Sequence, residues 1–135
     1  SGATVIMTRN GDYYQSLSAR ASKGNRSRSH VFVSIHVNSF GKQTANGTET
    51  YYFKYKDKRL ARALQSSMSR AIKRKDNGVK RANLYVLRHT QMPSALVEPV
   101  FLTHPHENQL IKSPQFRQKV ADSLYDGLVR YFQAL

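Results

Sequence analysis

The sequence predicts an α/β fold, a single domain in which a mostly parallel, twisted sheet is flanked by helices. Short β-branched or aromatic segments alternate with longer segments whose apolar residues recur every three or four positions. This alternation is typical of strands that are joined through helices. The chain has 135 residues, enough for one hydrophobic core, and no internal repeat or linker divides it. Residues 1–135 are therefore predicted to form one domain.

The first half of the chain contains three predicted strands and one helix. Ala3–Thr8 is apolar and β-branched and predicts a buried strand, whereas Ser16–Asn25 predicts a short helix that Ser16 caps. Val31–Asn38 (VFVSIHVN) alternates strictly and predicts a strand whose valines and isoleucine face the core. Thr48–Tyr55 is aromatic and predicts a strand near the edge of the sheet.

The second half continues the alternation of helices and strands. Leu60, Leu64 and Met68 recur at four-residue steps and indicate the buried face of a helix. The proline at position 114 suits the first turn of a long C-terminal helix. The predicted elements are a helix over Lys58–Lys75 that Asp76-Asn77-Gly78 ends, a strand over Leu84–Leu87, a strand over Ser94–Glu98, a loop over Thr103–Asn108, and a helix from Pro114.

The composition restricts the partners and the chemistry. Twenty-two Lys and Arg against 8 Asp and Glu give a net charge of +14, which predicts attraction to nucleic acid, anionic lipid or the phosphate-bearing polymers of bacterial cell walls. No nucleic-acid-binding motif is present, so a specific nucleic-acid partner is not expected. The absence of cysteine excludes disulfides, thiolate zinc sites and Cys nucleophiles. No apolar run reaches the ~18 residues of a transmembrane segment, and no signal peptide is seen.

Two predicted strands end in residues that can carry out chemistry. His36 and Asn38 stand on one face at the carboxyl end of the strand over Val31–Asn38, and Glu98 ends the strand over Ser94–Glu98. Ligands of open α/β sheets bind outside the carboxyl ends of the strands, so His36 and Glu98 converge if the two strands are parallel neighbours. Such a pair supports either general acid–base catalysis or a zinc site in which the carboxylate handles a proton. The spacing alone leaves both alternatives open.

Five segments together resemble a known family. In chain order they read VIMTRNGDYYQSLSARASKGN, VFVSIHVNS, GTETYYF and NLYVLRHTQMPSALVE, followed by the C-terminal amphipathic helix. This combination resembles the catalytic domain of zinc-dependent N-acetylmuramoyl-L-alanine amidases of the amidase-3 type. The resemblance extends over nearly the whole chain. It implies an α/β sheet flanked by helices, and peptidoglycan as the substrate.

The resemblance also implies roles for individual residues. His36 would be a ligand of Zn²⁺, and Glu98 would be the catalytic carboxylate that takes a proton from the attacking water and passes it to the leaving nitrogen. Asn38 would border the substrate cleft, and Arg88 is also predicted to bind substrate. The bond that is cut would be the amide between N-acetylmuramic acid and the L-alanine of the stem peptide. An extracytoplasmic location, in the cell wall or periplasm, follows from this substrate.

The matched region lacks two of the family's three zinc ligands. A His in a Gly-His-Gly motif and a Glu on the next helix precede the segments that match, so the chain is expected to be N-terminally incomplete, with the other ligands upstream. His104 and His106 are weaker alternative ligands. A non-catalytic, amidase-like wall-binding or regulatory module that has lost its metal is the main alternative function, and a nucleic-acid-binding protein is a third.

Overall fold

Four strands form one sheet in the computed structural model, which describes all 135 residues. The strands are β1 Phe32–Ile35, β2 Thr48–Tyr52, β3 Asp76–Arg81 and β4 Ser94–Glu98. Their order across the sheet is β1-β4-β2-β3. The pairs β1–β4 and β2–β3 are parallel, whereas β2–β4 is antiparallel. The prediction of a mostly parallel sheet is therefore confirmed.

Helices cover both faces of this sheet. They are α1 Leu17–Arg26, α2 Lys58–Ile72, α3 Tyr85–His89, α4 Pro105–Lys112 and α5 Pro114–Gln133, with a 3₁₀ turn at Tyr55–Asp57. The larger hydrophobic cluster lies where α2 and α5 pack on one face, and a smaller cluster lies beneath α1 and α3 on the other. None of the helices combines the length and the apolar character that crossing a membrane requires.

The pairing of α2 with α5 depends on a glycine. Gly127 is buried in α5, and a Cβ atom built there would lie 3.0 Å from the carbonyl oxygen of Ala63 and from the Cα atom of Leu64. The missing side chain thus lets the two helix backbones approach closely. The apolar stripe predicted for the C-terminal helix forms the α5 side of this contact, with Phe116, Val120 and Leu124 buried.

The local signals at helix starts are confirmed. The Ser16 hydroxyl accepts a hydrogen bond from the Ala19 amide at 3.0 Å and caps α1. Pro114 occupies the first turn of α5, which Ser113 caps. The helix predicted over Lys58–Lys75 ends slightly earlier, since α2 stops at Ile72 and Lys73 adopts a left-handed conformation.

Two predicted strands are not strands. Ala3–Thr8 has no regular structure, and Val5, Ile6 and Met7 are exposed, because no strand of the chain pairs with this segment. Leu84 caps α3 rather than beginning a strand, so an apolar run too short to show a period was assigned the wrong structure. Its Val86 and Leu87 are nevertheless buried in the smaller cluster.

Four further predictions were wrong in placement. Asp76-Asn77-Gly78 begins β3 instead of ending a helix, and the pairing of β3 with β2 makes β2 an interior strand rather than a strand near the edge. The loop predicted over Thr103–Asn108 contains the start of α4, where the His104 ring caps the helix. Ile35 at the end of β1 and Val37 just after it are exposed although their alternation indicated a core position, because β1 lies at the edge of the sheet.

Candidate active site

The polar residues of the sheet gather at one end of it. Strand β1 runs parallel to β4 with Ile35 opposite Val97, and the next residue, His36, donates its backbone N–H to Val97 O at 2.9 Å. His36 therefore lies beside Glu98 on the same face. Glu49 of β2 is the direct antiparallel partner of Glu98. The parallel register and the antiparallel register together bring one imidazole and two carboxyl groups to the same rim.

Glu98 lies in surroundings that favour its protonated form. Burial raises its pKa to about 7, with a further contribution from the negative charge of Glu49, and the positive charge of Lys80 opposes both. Its Oε2 atom is buried and has no hydrogen-bond partner in the protein. A carboxyl group with this pKa can both accept and donate a proton near neutral pH.

Glu49 is held in the opposite state by three donors. Its Oε1 atom accepts hydrogen bonds from Asn38 Nδ2 at 2.5 Å and from the Tyr51 hydroxyl at 2.8 Å, and its Oε2 atom pairs with Lys80 Nζ at 2.5 Å. Burial opposes ionisation of Glu49, but these donors outweigh it and the pKa is lowered. The two neighbouring carboxyl groups therefore differ in protonation, as expected of a proton-transfer residue beside a fixed charge.

His36 is held as a neutral imidazole. Burial lowers its pKa, and the positive charges of Arg20 and Arg9 lower it further. The neutral ring is the form that binds a metal ion or accepts a proton. The donor set does not complete a metal site, however, because no group of three His, Cys, Asp or Glu side chains is arranged to hold a metal ion. Catalytic zinc normally requires three protein ligands, and Glu49 is already bonded to its own donors.

Asn38 connects the strand ends to the Glu49 cluster. Its backbone forms an isolated bridge with Phe101, and its amide nitrogen is one of the Glu49 donors. It also lines a cavity of about 380 Å³ that extends from Glu49 and Lys80 toward polar side chains of the neighbouring loops. Arg88 is exposed on α3, and no hydrogen bond joins it to His36, Asn38 or Glu98.

A buried carboxylate outside the rim holds the flanking loops. Glu107 of α4 is fully buried, and its oxygens accept from the backbone N–H groups of Gly47 and Phe101 at 2.8 to 3.1 Å and from Arg74 Nε at 2.7 Å. Gly47 lies two residues before Glu49, and Phe101 three residues after Glu98. Gly47 has a φ of +103°, and a Cβ there would lie 2.5 Å from Lys75 O, so only glycine suits this position.

Sequence reasoning underestimated three members of the cluster. Glu49 and Tyr51 lie in the segment Thr48–Tyr55, which the sequence identifies only as an aromatic strand. Lys80 fell inside a basic run of the sequence that gives no sign of a specific partner. The two-residue alternation of Glu49 and Tyr51 was the available signal, because it places both on one face of a strand.

Comparison with known proteins agrees with the family that the sequence segments resemble. The sequence profile of the N-acetylmuramoyl-L-alanine amidases matches residues 1–130. The chain is 35% identical to N-acetylmuramoyl-L-alanine amidase LytC of Bacillus subtilis over 98% of its own length and 28% of LytC. It is 36% identical to the uncharacterized protein YqiI of the same organism, over 97% of the chain and 65% of YqiI. The chain thus spans less than two thirds of these relatives.

A solved structure agrees in fold. The structure of an N-acetylmuramoyl-L-alanine amidase from Clostridium difficile 630 superimposes with a TM-score of 0.94 at 36% identity, over 96% of this chain and 72% of that one. Several other relatives, from Staphylococcus species, carry the name probable cell wall amidase. These matches, over nearly all of the chain, show that it belongs to the N-acetylmuramoyl-L-alanine amidase family of cell-wall hydrolases.

Proposed function

We propose that this chain hydrolyses the amide bond between N-acetylmuramic acid and the L-alanine of the peptidoglycan stem peptide. The observation that carries the proposal is the position of Glu98, a partly buried carboxyl group with a pKa of about 7, beside neutral His36 at the carboxyl end of two parallel strands. Membership in the amidase family supports the choice of bond. An extracytoplasmic location follows, because peptidoglycan lies outside the membrane.

Glu98 is proposed to move the proton in this reaction. Water attacks the carbonyl carbon of the amide while Glu98 accepts one of its protons. The same proton then passes to the leaving nitrogen as the C–N bond breaks, which releases a carboxylic acid and an amine. Glu49 stays ionised throughout, and its charge keeps Glu98 basic enough to accept the proton.

His36 is proposed to contribute one ligand of a zinc ion. Members of the family are generally zinc-dependent, and a neutral imidazole on the rim is a suitable ligand. This chain arranges no set of three such ligands, so His36 is proposed as one member of the ligand set and not as a complete site. Asn38 and Arg88 are proposed to bind substrate, Asn38 from within the cluster and Arg88 from α3.

The test compares single variants on purified peptidoglycan, with released amino groups and bound zinc measured on the same preparations. Glu98→Gln is expected to lower hydrolysis by about 10²- to 10⁴-fold, the usual contribution of a positioned acid–base group, and to keep any zinc. Asp126→Asn makes the same chemical change at an exposed position of α5 and is expected to have no effect. Normal hydrolysis by Glu98→Gln would show that another group transfers the proton.

The metal assignment has its own control. His36→Ala is expected to lower both zinc content and hydrolysis, whereas His106→Ala removes an exposed imidazole that forms no hydrogen bond and is expected to change neither. Unchanged zinc binding by His36→Ala would contradict the ligand assignment. Wall binding without hydrolysis by the unaltered protein, with no zinc bound, would favour the alternative of a non-catalytic wall-binding module.

A further inference from the structure

A second cleft lies at the opposite end of β2 from the active-site cluster. It has a volume of about 310 Å³, and we call it the basic cleft; its lining consists of Tyr52, Phe53, Lys54, Tyr55, Lys58 and Arg81. Three of these side chains are aromatic, three are cationic and none is acidic. Glu49 stands near the amino end of β2, whereas the basic cleft begins where β2 ends at Tyr52. The two sites are therefore separate.

One of the three cations, Lys54, is fully engaged by the fold. Lys54 pairs with the fully buried Asp57 at 3.2 Å and donates to Ser94 Oγ at 2.9 Å, so it is a structural residue. Lys58 forms no ion pair and no hydrogen bond, and its Nζ lies 5.9 Å from the centroid of the Tyr52 ring. A charge held in this way, beside an aromatic face, remains available to a ligand.

Arg81 is held in place while most of its donors stay free. Its guanidinium lies 4.7 Å from the centroid of the Phe53 ring, and its Nε donates to the Phe53 carbonyl at 3.0 Å. The two terminal nitrogens have no acceptor in the protein. Their fork can bind two oxygens of one phosphate, which is the geometry that makes arginine a frequent phosphate ligand.

The surroundings of the cleft favour an extended anion over a small one. Arg59 and Arg62 are exposed on the adjoining α2, and Lys56 is exposed beside Tyr55. No exposed acidic side chain compensates them between Lys54 and Arg70, since Asp57 is buried. A single phosphate would contact only the cleft, whereas a chain of phosphates could follow the positive surface along the helix.

We propose that the basic cleft binds a phosphodiester-linked anionic polymer of the cell wall and so holds the protein on its substrate. The identity of the polymer rests on the proposed cell-wall function, while the phosphate chemistry rests on the cleft alone. Lys58 and Arg81 contact the phosphates, and the exposed ring of Tyr55 packs against the carbon atoms that link them. This binding adds no group to the hydrolytic reaction.

The experiment measures binding of the full chain to soluble poly(glycerol phosphate) by titration calorimetry at about 50 mM and about 200 mM salt. The test variant is Lys58→Gln/Arg81→Gln. The matched control is Lys112→Gln/Lys119→Gln, which changes two exposed lysines away from the cleft and lowers the net charge equally, from +14 to +12. Glycerol phosphate, poly-glutamate and a single-stranded DNA oligonucleotide are compared as ligands.

We expect the test variant to bind the polymer about tenfold more weakly at the lower salt concentration and with a smaller salt dependence, while the control loses much less. Equal losses in the two variants would overturn the proposal, because attraction would then follow net charge alone. The proposal would also be overturned if poly-glutamate or glycerol phosphate bound as tightly as poly(glycerol phosphate), or if the DNA oligonucleotide bound more tightly.

Hydrolysis of polymer-free peptidoglycan separates this inference from the proposed function. The test variant is expected to retain the activity of the unaltered protein on this material and to lose activity only on walls that carry the polymer. If the unaltered protein hydrolyses neither material but binds the polymer through the cleft, the proposed function fails and the binding site stands. A loss on polymer-free peptidoglycan would place the cleft in the hydrolytic machinery instead and overturn the proposal.

Discussion

Replacement of Glu107 tests how the loops beside the active site are held. In Glu107→Ala, the backbone N–H groups of Gly47 and Phe101 lose their common acceptor, and both are buried. The Arg74 side chain, 22% exposed, also loses its partner but can turn toward water. The main cost of the variant is therefore expected from two unsatisfied buried donors.

The magnitude follows from these contacts. A buried donor without an acceptor costs about 1–3 kcal/mol, so two of them cost about 2–6 kcal/mol, and loss of the packed side chain adds to this. We expect Glu107→Ala to lower the free energy of unfolding by about 4 kcal/mol, a large part of the ~5–15 kcal/mol of a typical domain. Glu107→Gln keeps one acceptor oxygen and is expected to cost about half as much.

Urea unfolding, followed by circular dichroism, measures both changes. Asp122→Ala, at an exposed position of α5, serves as the control and is expected to stay within about 0.5 kcal/mol of the unaltered protein. A cost below about 1 kcal/mol for Glu107→Ala, with an unchanged dependence on urea, would refute the reasoning. It would mean that the two N–H groups find water or another acceptor when the carboxylate is gone.

Three further predictions concern the active-site carboxyl groups and the helix pair. In metal-free protein, Glu98→Gln is expected to stabilise the fold at pH 8 more than at pH 4.5. The reason is that the raised pKa of Glu98 contributes stability below pH 4.5, and this stability is lost as the pH rises through about 7. Urea unfolding at the two pH values checks this. Lys80→Met is expected to raise the pKa of both Glu49 and Glu98, which carboxyl ¹³C NMR titration measures. Gly127→Ala is expected to cost about 1–3 kcal/mol of unfolding free energy, because its Cβ would press on the α2 backbone; an unchanged urea midpoint would contradict the close approach.

The elements that sequence predicted best are those whose signals are local. The Ser16 cap, the proline at the start of α5 and the apolar stripe of α2 each act within a few residues, so their outcome did not depend on the rest of the fold. The weakest predictions were short apolar segments. Leu84–Leu87 became part of a helix and Ala3–Thr8 stayed irregular, because a strand exists only where another strand pairs with it.

In the candidate site, too, local signals could be seen in the sequence, whereas the pairing of strands could not. The alternation of β1 and the end of β4 at Glu98 were visible in the sequence, and they singled out His36, Asn38 and Glu98. The register between the strands was not visible. The importance of Glu49 therefore could not be predicted, since it becomes the neighbour of Glu98 only because β2 runs antiparallel to β4.

The sequence by itself determined the α/β class, the residues that can carry chemistry and the excess of positive charge. Each of these follows from residue types and from the local periodicity of apolar residues. Only the tertiary structure decided which of the two carboxyl groups has the raised pKa. The three donors of Glu49 come from the loop after β1, from β2 and from β3, and they meet only in the folded sheet. The contrast between an ionised Glu49 and a protonatable Glu98 is thus a property of strand order.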